Sequence, residues 1–135
     1  MYSFGVGKGW TPIGRRERVT KSDKNIVYKI GNETALEFFR HYLGREFGVD
    51  DTAPTMDNPL AIFEIDNEDF RLLTGQIIDK ERGSMGFFSN LPEGTTVQIS
   101  HVPNRDVIID ATERAIRTSL NEYPGTEPAA ALCFP

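Results

Sequence analysis

The chain has 135 residues, about one domain, and a chain of that length buries roughly two thirds of its unfolded surface. Its 15 Lys and Arg against 20 Asp and Glu give a formal charge of -5, which repels a phosphate backbone and argues against nucleic acid as a partner. Its one cysteine, Cys133, supports neither a disulfide framework nor a zinc site. With no apolar run of membrane-spanning length and no secretory h-region after Met1, the expectation is a cytoplasmic protein with no membrane insertion.

The first stretch, FGVGKGWTPIGRRERVT at 4–20, crowds glycines beside Trp10 and a burst of arginines. A dinucleotide fingerprint needs G-x-G-x-x-G between a strand and a helix. After Gly5 and Gly7 the third position holds Trp10, and Gly7-Lys8 is followed by Gly9, so the P-loop pattern fails as well. Thr11 to Gly14 read as a turn. NIVYKI at 25–30, after the polar turn KSDK, reads as a strand ending at Gly31.

NETALEFFRHYLG at 32–44 reads as an amphipathic helix, with Asn32 as its cap and Gly44 as its end. Ala35, Leu36, Phe39, Tyr42 and Leu43 share its apolar face. Residues 45–59 lack a sustained period and are expected to form a surface loop where a ligand lid can sit. LAIFEI reads as a strand buried on both faces, DNEDF as a turn, and FRLLTGQIID, with Gly75 inside it, as a strand pair or a kinked strand.

KERG then turns the chain into SMGFFS, and LPEG supplies the next turn, closed by Gly94. TTVQISHV alternates, placing Val97, Ile99 and His101 on one face. Asn104 is expected to cap a helix over RDVIIDATERAIRTSLNEY, with Ile108, Ala111, Ala115 and Ser119 as its packing stripe, widened by Val107, Ile116 and Leu120. Pro124 ends that helix, and AAALCFP reads as a buried strand carrying Cys133, as if cut from a longer chain. The order predicts an α+β fold, a largely antiparallel (mixed) sheet with two amphipathic helices packed on it.

Arg15, Arg16 and Arg18 offer planar forks for a carboxylate, although Glu17 among them also suits a solvated face. His101 suits a base or a ligand-binding donor, but with no second titratable group at triad-like spacing it reads first as a satisfied core or rim histidine. His41 points away from its helix's apolar stripe. Asp50, Asp51, Asp57, Asp66, Glu68 and Asp69 lack the calcium-loop spacing and read as turn carboxylates. No catalytic residue, metal site or cofactor is assigned.

GWTPIG at 9–14, VTKSDKNIVYKIGNETALEFFRHYLG at 19–44, GSMGFFSNLPEGTTVQISHV at 83–102 and the terminal AAALCFP together resemble the FIST family, chiefly its C-terminal half. The resemblance implies that residues 1–18 are a junction from a preceding N-terminal half and 19–135 a C-terminal α+β domain in a truncated fragment. FIST domains accompany histidine kinases, chemotaxis receptors, cyclic dinucleotide enzymes and F-box proteins, and are proposed to bind small ligands such as amino acids. The resemblance thus implies a ligand-binding sensory module and not an enzyme. Its partners would be a small molecule and an output signalling domain, in the same chain or another. The alternatives are a small hydrolase or transferase using His101 with Cys133 or a carboxylate, and a protein-docking module. Trp10, Arg15, His101 and Asn104 are the candidate ligand-binding residues, since pockets tend to form at junctions.

Overall fold

A computed structural model describes residues 1–44, 56–64 and 69–133. The chain divides into two compact units, one built from Met1–Trp10 with Val102–Pro135 and the other from Thr11–His101.

Among its described residues, the Thr11–His101 unit holds an eight-stranded sheet. Its strands are β1 (Thr11–Asp23), β2 (Ile26–Ile30), β3 (Glu33–Thr34), β4 (Leu60–Phe63), β5 (Phe70–Leu73), β6 (Gly75–Asp79), β7 (Ser84–Phe87) and β8 (Thr96–His101). They lie in the order β5-β4-β8-β1-β2-β7-β6, with β3 paired to β2, and every pairing is antiparallel. The α+β class is as the sequence predicts. The FRLLTGQIID stretch makes two strands that do not pair with each other, since β5 and β6 lie at opposite ends of the order. Only Thr74 separates them in sequence, so the sheet curls until its two edges meet at that corner.

Residues 11–14, expected to be a turn, instead begin the 13-residue strand β1. Pairing with β8 runs Thr11↔His101, Pro12↔Ser100, Ile13↔Ile99 and then slips before Glu17↔Val97. Gly14 lies in the slip at φ 72°, so its turn chemistry is spent on a bulge within a continuous strand. A Cβ there would also strike the Tyr42 ring. The KSDK stretch is corrected likewise: Lys21 to Asp23 belong to β1, and the tight turn falls at Lys24, at φ 53°, and Asn25.

The first helix, α1 (Ala35–Leu43), is capped by Thr34 and not by Asn32. The ladder between β2 and β3 holds Glu33 and Thr34 extended, which delays the helix by two residues. The Thr34 hydroxyl accepts from the Glu37 N–H at 3.2 Å while Glu37 Oε2 accepts from the Thr34 N–H at 3.0 Å, a reciprocal capping box. The bond from the Thr34 N–H first, and then the Thr34 hydroxyl, which donates to the same Oε2 at 2.8 Å, hold the Glu37 carboxyl below its ordinary pKa. Gly44 closes the helix in the left-handed conformation, as expected.

Ala35, Leu36 and Phe39 are buried as predicted, Tyr42 and Leu43 pack partly buried at the edge, and Phe38 joins the core as well. The ring of Phe39 lies 6.4 Å from that of Phe87 on β7. All four residues of β4 are buried, in agreement with a strand covered on both faces. The β6–β7 turn and the Pro92–Gly94 turn form as read, the first with Asp79 Oδ1 accepting from the Glu81 and Arg82 amides at 3.1 Å. The expected lid at 45–55 and the turn at 65–68 lie outside the described residues.

In the other unit, α2 (Arg105–Asn121) begins at Asn104 as predicted, whose side chain accepts from the Val107 N–H at 3.1 Å. Residues 3–9 run extended and antiparallel along it. Ser3 Oγ donates to the Ser119 carbonyl at 2.6 Å; Gly5 meets Ala115, Gly7 meets Ala111 and Gly9 meets Ile108. The three glycines therefore serve close backbone packing on a helix of small residues.

Two expectations for this unit are corrected. Ala111 is buried, and Ala115 and Ser119 half-buried, but Ile108, Ile116 and Leu120 are exposed. The glycine strand is too thin to cover more than the small-residue row. AAALC at 129–133 forms no strand, and Leu132 and Cys133 are exposed, because no ladder takes up their backbone among the described residues.

Candidate functional site

The end of β8 holds a firmly bonded polar residue. Ser100 is fully buried. Its N–H and hydroxyl both donate to the Pro59 carbonyl, at 3.1 and 2.6 Å, and its own carbonyl accepts from Asn58 Nδ2 at 3.0 Å. Buried polar groups require such partners, and here three bonds clamp the residue that precedes His101. On the other side, His101 stands opposite Thr11 of β1.

His101 breaks that pattern of satisfaction. Its side chain is half-buried, and Nδ1 is buried without a hydrogen-bond partner among the described residues. An unmet buried polar atom costs about 1–3 kcal/mol. A ligand atom of matching polarity at Nδ1 recovers that cost, accepting if the nitrogen carries its proton and donating if it does not.

The other candidates divide between the units. Trp10 and Asn104 belong to the first, Arg15 and His101 to the second. Trp10 is half-buried at the end of the glycine strand. Asn104 is exposed, with its side-chain oxygen used in capping α2. Arg15 is 83% exposed and its Nε lies 2.8 Å from Glu17 Oε1, so the solvated-face reading of the arginine run holds at this position. Arg15 also follows Thr11, the partner of His101, by four residues, roughly 13 Å along a strand. The sheet therefore does not bring Arg15 and His101 together.

Sequence reasoning missed two contacts that shape this surface. Arg16 stacks over Phe63 with its guanidinium carbon 3.8 Å from the ring centroid, a cation–π contact that reaches from β1 across β8 to β4. Gln98 Nε2 donates to the Gly14 carbonyl at 2.6 Å, satisfying the backbone where the bulge interrupts the ladder. Neither contact has a local signal, since each depends on strand register. His41 is exposed, as expected, with Nδ1 3.4 Å from Glu33 Oε1. Among the described residues no three His, Cys, Asp or Glu side chains gather to hold a metal, and no helix is long and apolar enough to cross a membrane.

Fold and site together define an antiparallel α+β domain in which, among the described residues, the His101 Nδ1 is buried without a hydrogen-bond partner. Comparison with known families sharpens this: the model of the FIST C domain matches residues 35–135. The chain belongs to the FIST C domain family, a sensory type of domain associated with signal transduction. No curated protein and no solved structure matches it.

Proposed function

We propose that this chain is the ligand-binding part of a cytoplasmic sensory module, that it recognises a small molecule such as an amino acid, and that it passes occupancy to an output domain in the same chain or a partner. The observation that carries the proposal is His101, a buried Nδ1 without a partner at the end of a strand whose preceding residue is clamped by three hydrogen bonds. Fixed geometry and an unmet bond are what a recognition group needs, because the ligand then gains the bond without ordering the protein.

The test is a thermal-shift screen of the 20 amino acids and related small carboxylates against the wild type and His101→Ala. A ligand that binds only the folded state at 100 times its Kd stabilises it by about 2.7 kcal/mol, several degrees in Tm for a domain of this size. The expected result is stabilisation by one chemical class, lost in His101→Ala. Silence across the set, or an equal shift in the variant, removes the proposal.

A further inference from the structure

The ribbon formed by β1 and β2 is basic in an acidic chain. Residues 11–30 hold six Lys and Arg against two acids, a net +4, while the whole chain carries -5 and the remainder therefore -9. Val19, Val27 and Ile30 of the ribbon enter the core, whereas Arg18, Lys21, Lys24 and Lys29 are exposed. None of these four forms an ion pair with a described residue. Two acids beside them are engaged elsewhere, Glu17 with Arg15 and Glu93 Oε1 with the Ser22 N–H, which donates to it at 3.2 Å. Lys29 acts on the Glu37 carboxyl only as the smallest of the influences that lower its pKa.

Two features hold these cations where folding alone disfavours them. The ladder sets Lys21 directly opposite Lys29, and like charges so placed destabilise a sheet. Lys24 takes the hairpin tip at φ 53°, in the left-handed region that Gly, Asn and Asp enter more readily. The surroundings fix that tip: the Leu91 N–H donates to the Lys24 carbonyl at 3.0 Å and the Phe87 N–H to the Asn25 carbonyl at 2.8 Å. Strain held in this way by neighbouring structure clusters at binding surfaces and switches.

We propose that the β1–β2 ribbon docks a short acidic segment of a partner protein, extended along it with carboxylates against Arg18, Lys21, Lys24 and Lys29. Charge complementarity selects the sign, and length selects a peptide: Arg18 to Lys24 spans roughly 20 Å of strand, matched by about six extended residues. A longer polyanion or a flat anionic bilayer also meets the acidic remainder of the chain and is repelled by it. Single-stranded nucleic acid needs aromatic platforms for its bases. Tyr28, the one aromatic residue of 11–30, already lies under Lys21, whose Nζ is 5.7 Å from the ring centroid. Exposed ion pairs are individually weak, so four of them give a Kd on the order of 1 mM. The ribbon therefore steers and orients its partner more than it holds it. None of this depends on a ligand at His101.

The test is an NMR titration of the ¹⁵N-labelled chain with a hexaglutamate peptide, at about 25 mM and about 300 mM salt. Amides within residues 18–29 should shift with a Kd on the order of 1 mM at the lower salt and hardly move at the higher. Lys21→Glu should weaken binding at least about fivefold and Lys24→Gly about threefold. Both should keep a urea midpoint at or above the wild type, since one removes the like-charge rung and the other relieves the left-handed tip. Lys80→Glu, in the β6–β7 turn, should bind as the wild type does. Amine acetylation should modify Lys21, Lys24 and Lys29 as fast as the exposed Lys80. Ribbon lysines protected from acetylation, absent shifts in residues 18–29, or an equal loss of binding in Lys80→Glu overturns the proposal. So does a lowered midpoint in both ribbon variants, or tighter binding of a hexauridylate than of hexaglutamate.

Discussion

Substituting alanine along the glycine strand of residues 3–9 should produce a graded response. At Gly5 the new methyl would overlap the Ala115 carbonyl oxygen and lie 2.7 Å from its carbonyl carbon. At Gly7 it would overlap the Ala111 carbonyl oxygen and lie 2.8 Å from that carbon. Ordinary carbon–carbon contacts fall at about 3.5–4.0 Å, so in both cases the strand must lift from the helix by about 1 Å against backbone that cannot rotate away. Overpacking of this kind costs about 1–3 kcal/mol. Opposing it, alanine restricts the unfolded chain and contributes about 0.4–1 kcal/mol of stability, which leaves a net loss of roughly 1–2 kcal/mol at Gly5 and Gly7. At Gly9 the nearest atom is Ile108 Cγ1 at 3.0 Å, a side-chain atom able to move, so the two terms nearly cancel. Trp10 ends the strand and is the single tryptophan, and Lys8 is a tryptic site within it. Tryptophan emission and the rate of tryptic release of the first eight residues therefore read the strand directly. Gly5→Ala and Gly7→Ala should redden the emission and speed cleavage, while Gly9→Ala should resemble the wild type. Equal behaviour of all three variants, or the reverse order, would refute the packing argument.

Further outcomes follow from the other unit. Phe87 and Phe88 are neighbours in sequence but Phe87 is fully buried and Phe88 65% exposed; in urea, Phe87→Ala should lose about 3–5 kcal/mol and Phe88→Ala no more than about 0.5 kcal/mol. Removing the cap with Thr34→Ala should cost about 1 kcal/mol, measured in the same way. The Glu37 carboxyl is held below its ordinary pKa chiefly by its bond from the Thr34 N–H, so its share of stability is full above the unfolded-state value and is lost as pH falls through the lowered folded value. Urea midpoints of the wild type should therefore fall through the acid range more steeply than those of Glu37→Gln, and parallel curves would contradict the capping box.

What was legible in the sequence was what depends on neighbours along the chain. The periodic face of α1, the Asn104 cap, the Gly44 end and the turns at Lys80–Gly83 and Pro92–Gly94 all rest on residues within a few positions of each other. The misread places share a different cause. Pro12 and Gly14 have turn chemistry, and only the ladder to β8 makes them a bulge inside a strand. Asn32 is as good a cap as Thr34, and only the β2–β3 pairing chooses between them. Periodicity marked Ile108, Ile116 and Leu120 as apolar but carried no information on what lies against them. In AAALCFP, composition suited a buried strand, yet burial needs a neighbouring strand that local composition does not supply. The candidate site shows the same division. His101 was visible as a histidine on an apolar face, whereas its orphaned nitrogen, the clamp on Ser100 and the distance to Arg15 arise from pairings across the sheet.

A ligand at His101 Nδ1 must change that nitrogen's hydrogen bonding. The nitrogen resonances of the histidine rings report this most directly, recorded on chain labelled with ¹⁵N at the imidazoles, with and without a saturating amino acid or small carboxylate. A stabilising ligand should move the Nδ1 signal of His101 as that atom gains a hydrogen bond, while the exposed His41 ring stays where it was. A ligand that binds without moving the His101 signal, or one that moves both rings alike, would contradict it.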